Sequence, residues 1–311
     1  MRSNNYLFII VVVTTTLLLL LANYSNATVF KSDKYFKVES IGKDSYRLTQ
    51  VNIKNSNQDD VDEYENVGSF RVSSIDFPLE WRQRRVLDEQ SILDNPEDLI
   101  VKGVFSLHGK SYSFVPSEIY KALPYPEDMT PTDDYDNDQT SAMDGSGFFY
   151  FLQAGFPMCR FRTCINAIQA VNVNDPKDKT KLAVFRDLYP TLPGFDGEWY
   201  REAVNNKKIM FQLEFERVGA AHVLKAYVKL DPLHDCPMFK MAACPEGQTQ
   251  VYSRNEDLCL IPDRCVEPNY ESCRFDPVPK CVAGYTLHQY VSEPSGCPQY
   301  RCDPSFLPCH R

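Results

Sequence analysis

The sequence predicts a mainly β protein: a β-rich globular body, sandwich-like or α+β, followed by a disulfide-stapled tandem of small modules. Three observations predict it. Nine of the eleven cysteines lie beyond Asp235, and eight of these repeat one spacing. The residues before them form short runs rich in Val, Ile, Phe, Tyr and Thr, separated by turn formers. The first residues are laid out as a secretory signal, which would carry the cysteines into an oxidising compartment.

Residues 1–27 read as the signal peptide. Arg2 supplies a basic start, Leu7 to Ala22 is apolar apart from three threonines, and Ser25-Asn26-Ala27 has the small-x-small form of a cleavage site. The expected product is secreted, begins near Thr28 and has no stable membrane insertion, because no second apolar run of that length follows. Both Asn-x-Ser/Thr sites, Asn23 and Asn26, leave with the signal. The mature chain carries 32 basic against 42 acidic side chains, a balance that disfavours nucleic acid as a partner.

Residues 28–230 form the expected body. Tyr35 to Ile41, Ser45 to Ile53 and Phe70 to Phe77 read as strands, and Val101 to Val115 as a hairpin turning at His108-Gly109-Lys110. Arg82, Arg84 and Arg85 form an Arg-x-Arg-Arg motif that resembles the site cut by furin-type convertases, which require it on an exposed, flexible segment. Residues 124–147 hold seven acidic side chains and no basic one, with prolines and glycines that oppose regular structure, so an acidic loop is expected. Within it Asp134, Asp136 and Asp138 match the first ligand positions of an EF-hand loop, but Gln139 and Gly145 stand where glycine and glutamate belong. A weak calcium site is the one cofactor this pattern allows.

The second part of the body opens with the apolar run Phe148 to Leu152 and closes with two alternating strands, Lys208 to Arg217 and Ala221 to Leu230. Glu214 and Glu216 are expected to pair across the strands with Lys225 and Lys229. Thr180 to Leu188 and Gly197 to Val204 read as short helices. Cys159 and Cys164, four residues apart, are expected to form a local disulfide, since redox and zinc sites commonly space cysteines by two.

The tail divides into residues 231–266, with Cys236, Cys244, Cys259 and Cys265, and residues 267–311, with Cys273, Cys281, Cys297 and Cys302. Four cysteines permit three pairings, so spacing alone leaves the connectivity open; pairing inside each module is the economical expectation. Cys309 remains over, which suggests either an interchain bridge, and with it a disulfide-linked dimer, or a free thiol.

Cys281-Val282-Ala283-Gly284-Tyr285 and Gly296-Cys297-Pro298, echoed by Cys244-Pro245-Glu246-Gly247, resemble parts of antistasin-type inhibitor modules and of von Willebrand factor type C modules. The Cys-x-Cys of antistasin-type modules is absent. The resemblance implies either binding of an extracellular protein or inhibition of an extracellular, for example serine, protease; in the second case Arg264 beside Cys265 or Arg274 beside Cys273 would enter the specificity pocket. No enzyme is expected. Asp144-Gly145-Ser146-Gly147 departs from the serine hydrolase signatures, and the five histidines show no metal-pair spacing. Binding another extracellular macromolecule is the function expected, with protease inhibition the alternative.

Overall fold

The computed structural model describes residues 28–42, 45–52, 68–78, 93, 95–108, 111–125, 147–160, 163–217, 219–231, 236–237, 239, 243–273 and 277–307. The signal segment, Arg82, Arg84, Arg85, Asp134, Asp136, Asp138, Arg274 and Cys309 lie outside them.

Twelve strands make one sheet. In chain order they are β1 (Thr28–Gly42), β2 (Ser45–Gln50), β3 (Ser69–Val72), β4 (Ser74–Ile75), β5 (Leu99–His108), β6 (Ser111–Ala122), β7 (Phe148–Arg160), β8 (Thr163–Asn172), β9 (Lys179–Leu182), β10 (Val184–Arg186), β11 (Ile209–Arg217) and β12 (Ala220–Leu230). Their spatial order is β3-β2-β1-β5-β6-β12-β11-β7-β8-β9, with β4 parallel beside β6 and β10 parallel beside β12. The order reads the same from either end once β7 is matched to β1, β8 to β2, and so on. A six-strand unit therefore occurs twice, in one chain order, joined where β6 meets β12.

The register supports the duplication residue by residue. Both inner hairpins slip at the same step, after Lys102 in the first unit and after Gln212 in the second. Val101 faces Phe36 as Phe211 faces Tyr150. Ile75 lies beside Phe114 as Phe185 lies beside Ala221, in the two parallel pairings. At the first slip, a side chain on Gly103 would bring its Cβ to 2.1 Å from the Val115 carbonyl oxygen, so that position needs glycine. Pro116 sits opposite Gly103. The bulge absorbs the proline and lets β6 continue to Ala122, past the expected end at Val115.

Between the units lies a core on the pseudo-two-fold axis. It contains the matched pairs Tyr35 and Phe149, Val51 and Val173, Ile100 and Met210, Tyr120 and Tyr227. Side chains buried to this extent each contribute about 1.5–3 kcal/mol. Two asparagines close the seam reciprocally. Asn52 Nδ2 donates to the Phe149 carbonyl at 2.6 Å, and the Phe149 amide donates to Asn52 Oδ1 at 2.7 Å. In mirror fashion the Tyr35 amide donates to Asn174 Oδ1 at 2.7 Å, and Asn174 Nδ2 donates to the Tyr35 carbonyl at 3.2 Å. Each unit's asparagine thus satisfies the first strand of the other.

Among the described residues, α1 (Gly197–Asn205) is the one complete α-helix. Asp196 caps it by accepting the Trp199 amide at 3.1 Å. The stretch expected as a helix over Thr180 to Leu188 is instead β9 and β10, because open sheet positions beside β8 and β12 take it. The expected ion pairs also re-sort. The slip after Gln212 puts Glu214 opposite His222, while Lys225 pairs with Asp98 at 3.0 Å and Lys229 with Glu118 at 3.2 Å.

Each tail module is a stapled hairpin: β13 (Thr249–Arg254) with β14 (Leu260–Val266), and β15 (Tyr285–Ser292) with β16 (Cys297–Pro304). Disulfides join first to third and second to fourth cysteine in both modules: Cys236–Cys259, Cys244–Cys265, Cys273–Cys297 and Cys281–Cys302. Loops of 21 to 24 residues closed in this way contribute about 3 kcal/mol each in the chain-entropy picture.

The tail does not hang behind the body. Leu258, Tyr285 and Cys302 are buried within the core of the second unit. The Cys302 amide donates to the Gly194 carbonyl at 2.8 Å, and Gly194, at φ +69°, leaves no room for a Cβ against Pro279 and the Cys302 sulfur. Arg254, 8% exposed, holds Asp196 at 2.7 Å and Asp303 at 2.6 Å.

Candidate functional site

The second unit opens a cleft of about 270 Å³. Its floor is Leu152 and Ala154 of β7, Ile168 of β8 and Phe211 of β11; Phe185 and Asp187 form one side, and Tyr200, Arg201, Val204 and Asn205 of α1 form the roof. Strand alternation explains the floor. Leu152 pairs with Ala170 and Ala154 with Ile168, so these side chains share the face turned toward the helix. Helical spacing explains the roof, since Tyr200, Val204 and Arg201, Asn205 repeat at i, i+4.

Asp187 is the chemical centre of this cleft. One carboxylate oxygen accepts the Tyr189 amide at 3.0 Å and the other accepts the Tyr200 hydroxyl at 2.8 Å. Burial pushes its carboxyl above the ordinary range, against the smaller downward pull of those two hydrogen bonds. Tyr200 is 4% exposed, and burial together with Asp187 drives its phenol well up, so its proton stays in place. Arg201 and Asn205 are exposed and stand at the mouth.

The matched position in the first unit is filled. Counting from Ile75 and Phe185, Asp187 corresponds to Phe77, which is 4% exposed and packs in the first unit's core. At this position the two units differ, a core phenylalanine against a carboxylate; the segment of the first unit that follows, 79–92, lies outside the described residues. The tail holds the roof of the cleft in position: Asp196, the cap of α1, is gripped by Arg254, and the Trp199 indole donates to the Glu256 carbonyl at 3.0 Å. Asn206 and Lys208, just beyond the helix, reach Glu256 and Asp257.

The residues singled out from sequence fall elsewhere. Cys159 and Cys164 are register partners across β7 and β8; their side chains are not among those described. Arg264 is exposed, but it lies in the irregular step of β14 opposite Val251, on a strand rather than a loop, and pairs with Glu293. No group of three metal-ligating side chains occurs among the described residues, and none of their helices is long and apolar enough to cross a membrane. Asp187 and Tyr200 were not legible from sequence. Reading 180–188 as a helix makes Asp187 an ordinary surface acid, and only the strand pairing of β10 turns it inward.

No family profile matches the chain, and no solved structure matches it. It is similar to an uncharacterized protein of Dictyostelium discoideum, 26% identical over 252 residues and covering 78% of each chain. The four tail disulfides fit an extracellular protein.

Proposed function

We propose that the chain is a secreted binding protein that seats an apolar group of an extracellular macromolecule in the cleft of its second unit. One observation carries the reading: a mainly apolar concavity is lined by one carboxylate, Asp187, at the position where the first unit buries Phe77. Its volume suits one anchoring side chain or a small ligand rather than an extended chain. Protease inhibition draws less support, because Arg264 sits on a bulged strand with its charge taken by Glu293.

The test is a fragment screen by amide chemical shifts on the mature chain, alongside Ala154→Trp, which fills the floor. Apolar fragments should shift Val204 and Asn205 in the natural protein and not in the variant. Fragments that leave those amides unmoved at millimolar concentration, or move both proteins alike, overturn the cleft as the binding site.

A further inference from the structure

We infer that the group this cleft takes is a primary ammonium on an apolar stem, the chemistry of a lysine side chain or a free alkylamine. The inference rests on the cleft being a ligand site, and follows from which polar atoms face its interior. At the inner end stand the Asp187 carboxylate and the Tyr200 oxygen, and the one hydroxyl proton between them is spent on Asp187. The Tyr189 backbone amide is spent on Asp187 as well, and the side-chain amide of Gln153, which also lines the cleft, donates to Gln169 Oε1. The Asp187–Tyr200 pair thus offers lone pairs and no free proton, so a carbonyl or carboxylate set against it would meet repulsion.

A donor is required, and a charged donor is favoured over a hydroxyl. Burial of Asp187 disfavours its ionised form, and an ammonium beside it favours that form by returning an opposite charge and a hydrogen bond at once. The walls fit the rest of such a group. Leu152, Ala154, Phe185, Val204 and Phe211 pack a methylene stem while the head reaches inward. Arg201, the opposing charge, stays at the exposed mouth, where solvent weakens its repulsion without abolishing it.

The experiment titrates the full mature protein with n-pentylamine, pentan-1-ol, pentanoate and N-acetyl-lysine amide. Pentylamine should bind at least about tenfold more tightly than pentanol, and pentanoate should not bind, as expected of a charge-assisted bond to a buried carboxylate. Asp187→Asn should remove the amine preference and leave pentanol binding within about twofold. Arg201→Gln, on the exposed rim, should raise pentylamine affinity by about two- to threefold and serves if the Asp187 variant does not fold. N-acetyl-lysine amide binding as well as pentylamine assigns the head group to a partner protein's lysine; pentylamine alone assigns it to a free amine. Equal binding of alcohol and amine, or no gain in Arg201→Gln, overturns the ammonium while the cleft reading stands. Shifts at Val204 and Asn205 with apolar fragments but none with any amine do the same; silence from every probe removes the cleft reading itself.

Discussion

The two six-strand units share a strand order, a slip in register and an axial core, yet at one matched position the first buries Phe77 and the second turns Asp187 to a cleft. What they keep in common lies on the sheet and at the seam. Among the described residues, what separates them stands at the start of the crossover between the fourth and fifth strands. In the first unit Phe77 turns into the core, and residues 79–92 lie outside those described; in the second, the crossover carries Asp187, the capped helix α1 and the contacts to the tail. The comparison teaches that the sheet register constrains a repeat tightly, whereas a segment that only covers the sheet is free to acquire chemistry. It also shows a dependence: the tail buries Leu258, Tyr285 and Cys302 in the second unit's core and only rests Phe306 and Leu307 against the first, and α1 is held by Arg254 through Asp196.

Exchanging the two centres tests this most sharply. Phe77→Asp should cost about 3–5 kcal/mol, from the lost packing and an unpartnered buried acid, read as a fall in the urea midpoint. Asp187→Phe should cost under about 1.5 kcal/mol, because the cleft has room for the ring, and should abolish fragment binding. A large loss in both would mean that the cleft is not open space.

The dependence on the tail comes next. Arg254→Met removes the cation that holds both Asp196 and Asp303 and leaves Asp196 the longer contact to Arg301 at 3.9 Å, at a cost of about 3–5 kcal/mol. Hydrogen exchange should rise in α1 before it rises in β1 to β6. Equal loosening of both units would contradict the asymmetry.

A smaller effect probes the symmetry. Asn52→Ala and Asn174→Ala each strand a backbone amide of the opposite unit, that of Phe149 or Tyr35, while the carbonyls keep the Val173 and Val51 amides, for about 1–3 kcal/mol apiece. The two costs should agree with each other, and a clear inequality in chemical denaturation would show that the seam is symmetric only in outline.

The smallest effect is one of pH, with opposite signs in the two units. Burial works to raise the Glu118 carboxyl, but Lys229 and Lys102 outweigh it and hold it below its ordinary value. Its stabilisation is present above the unfolded value and is lost as pH falls through the lower folded one. Asp187 is shifted up by burial, so its ionisation costs stability at neutral pH and the cost vanishes as pH falls through the raised value. The melting deficit of Glu118→Gln should therefore shrink on acidification. Any advantage of Asp187→Asn should shrink as well, which lowers its melting temperature relative to the natural protein. Parallel trends in the two variants would show that one of these carboxylates is wrongly placed.

Much of the fold was legible because the strands advertise themselves. Lys208 to Arg217 and Ala221 to Leu230 alternate cleanly, and the cysteine spacing announces the two modules. The duplication of the body was not legible. Its matched residues, such as Val51-Asn52 and Val173-Asn174, are conservative only in pairs too short to stand out, and the axial core tolerates Tyr against Phe and Ile against Met. The cleft was hidden for a different reason. Its floor and roof come from β7, β8, β10, β11 and α1, and no local pattern tells that Asp187 faces inward. The docking of the tail was hidden too, since Arg254 reads as a polar residue at the end of an amphipathic strand until Asp196 and Asp303 are found around it.

The reciprocal asparagines have a consequence for how the chain is made. Tyr35 receives its backbone partner from a residue 139 positions later. A ribosome synthesising at about 5–20 residues per second leaves that strand end bare for several seconds to half a minute after it emerges. The first unit can form its own hairpins in that interval, but its inner edge along β6 waits for β12. An exposed strand edge in a crowded compartment is a surface for mispairing. A chaperone that holds extended edges would matter more to the yield of this protein than to its final stability.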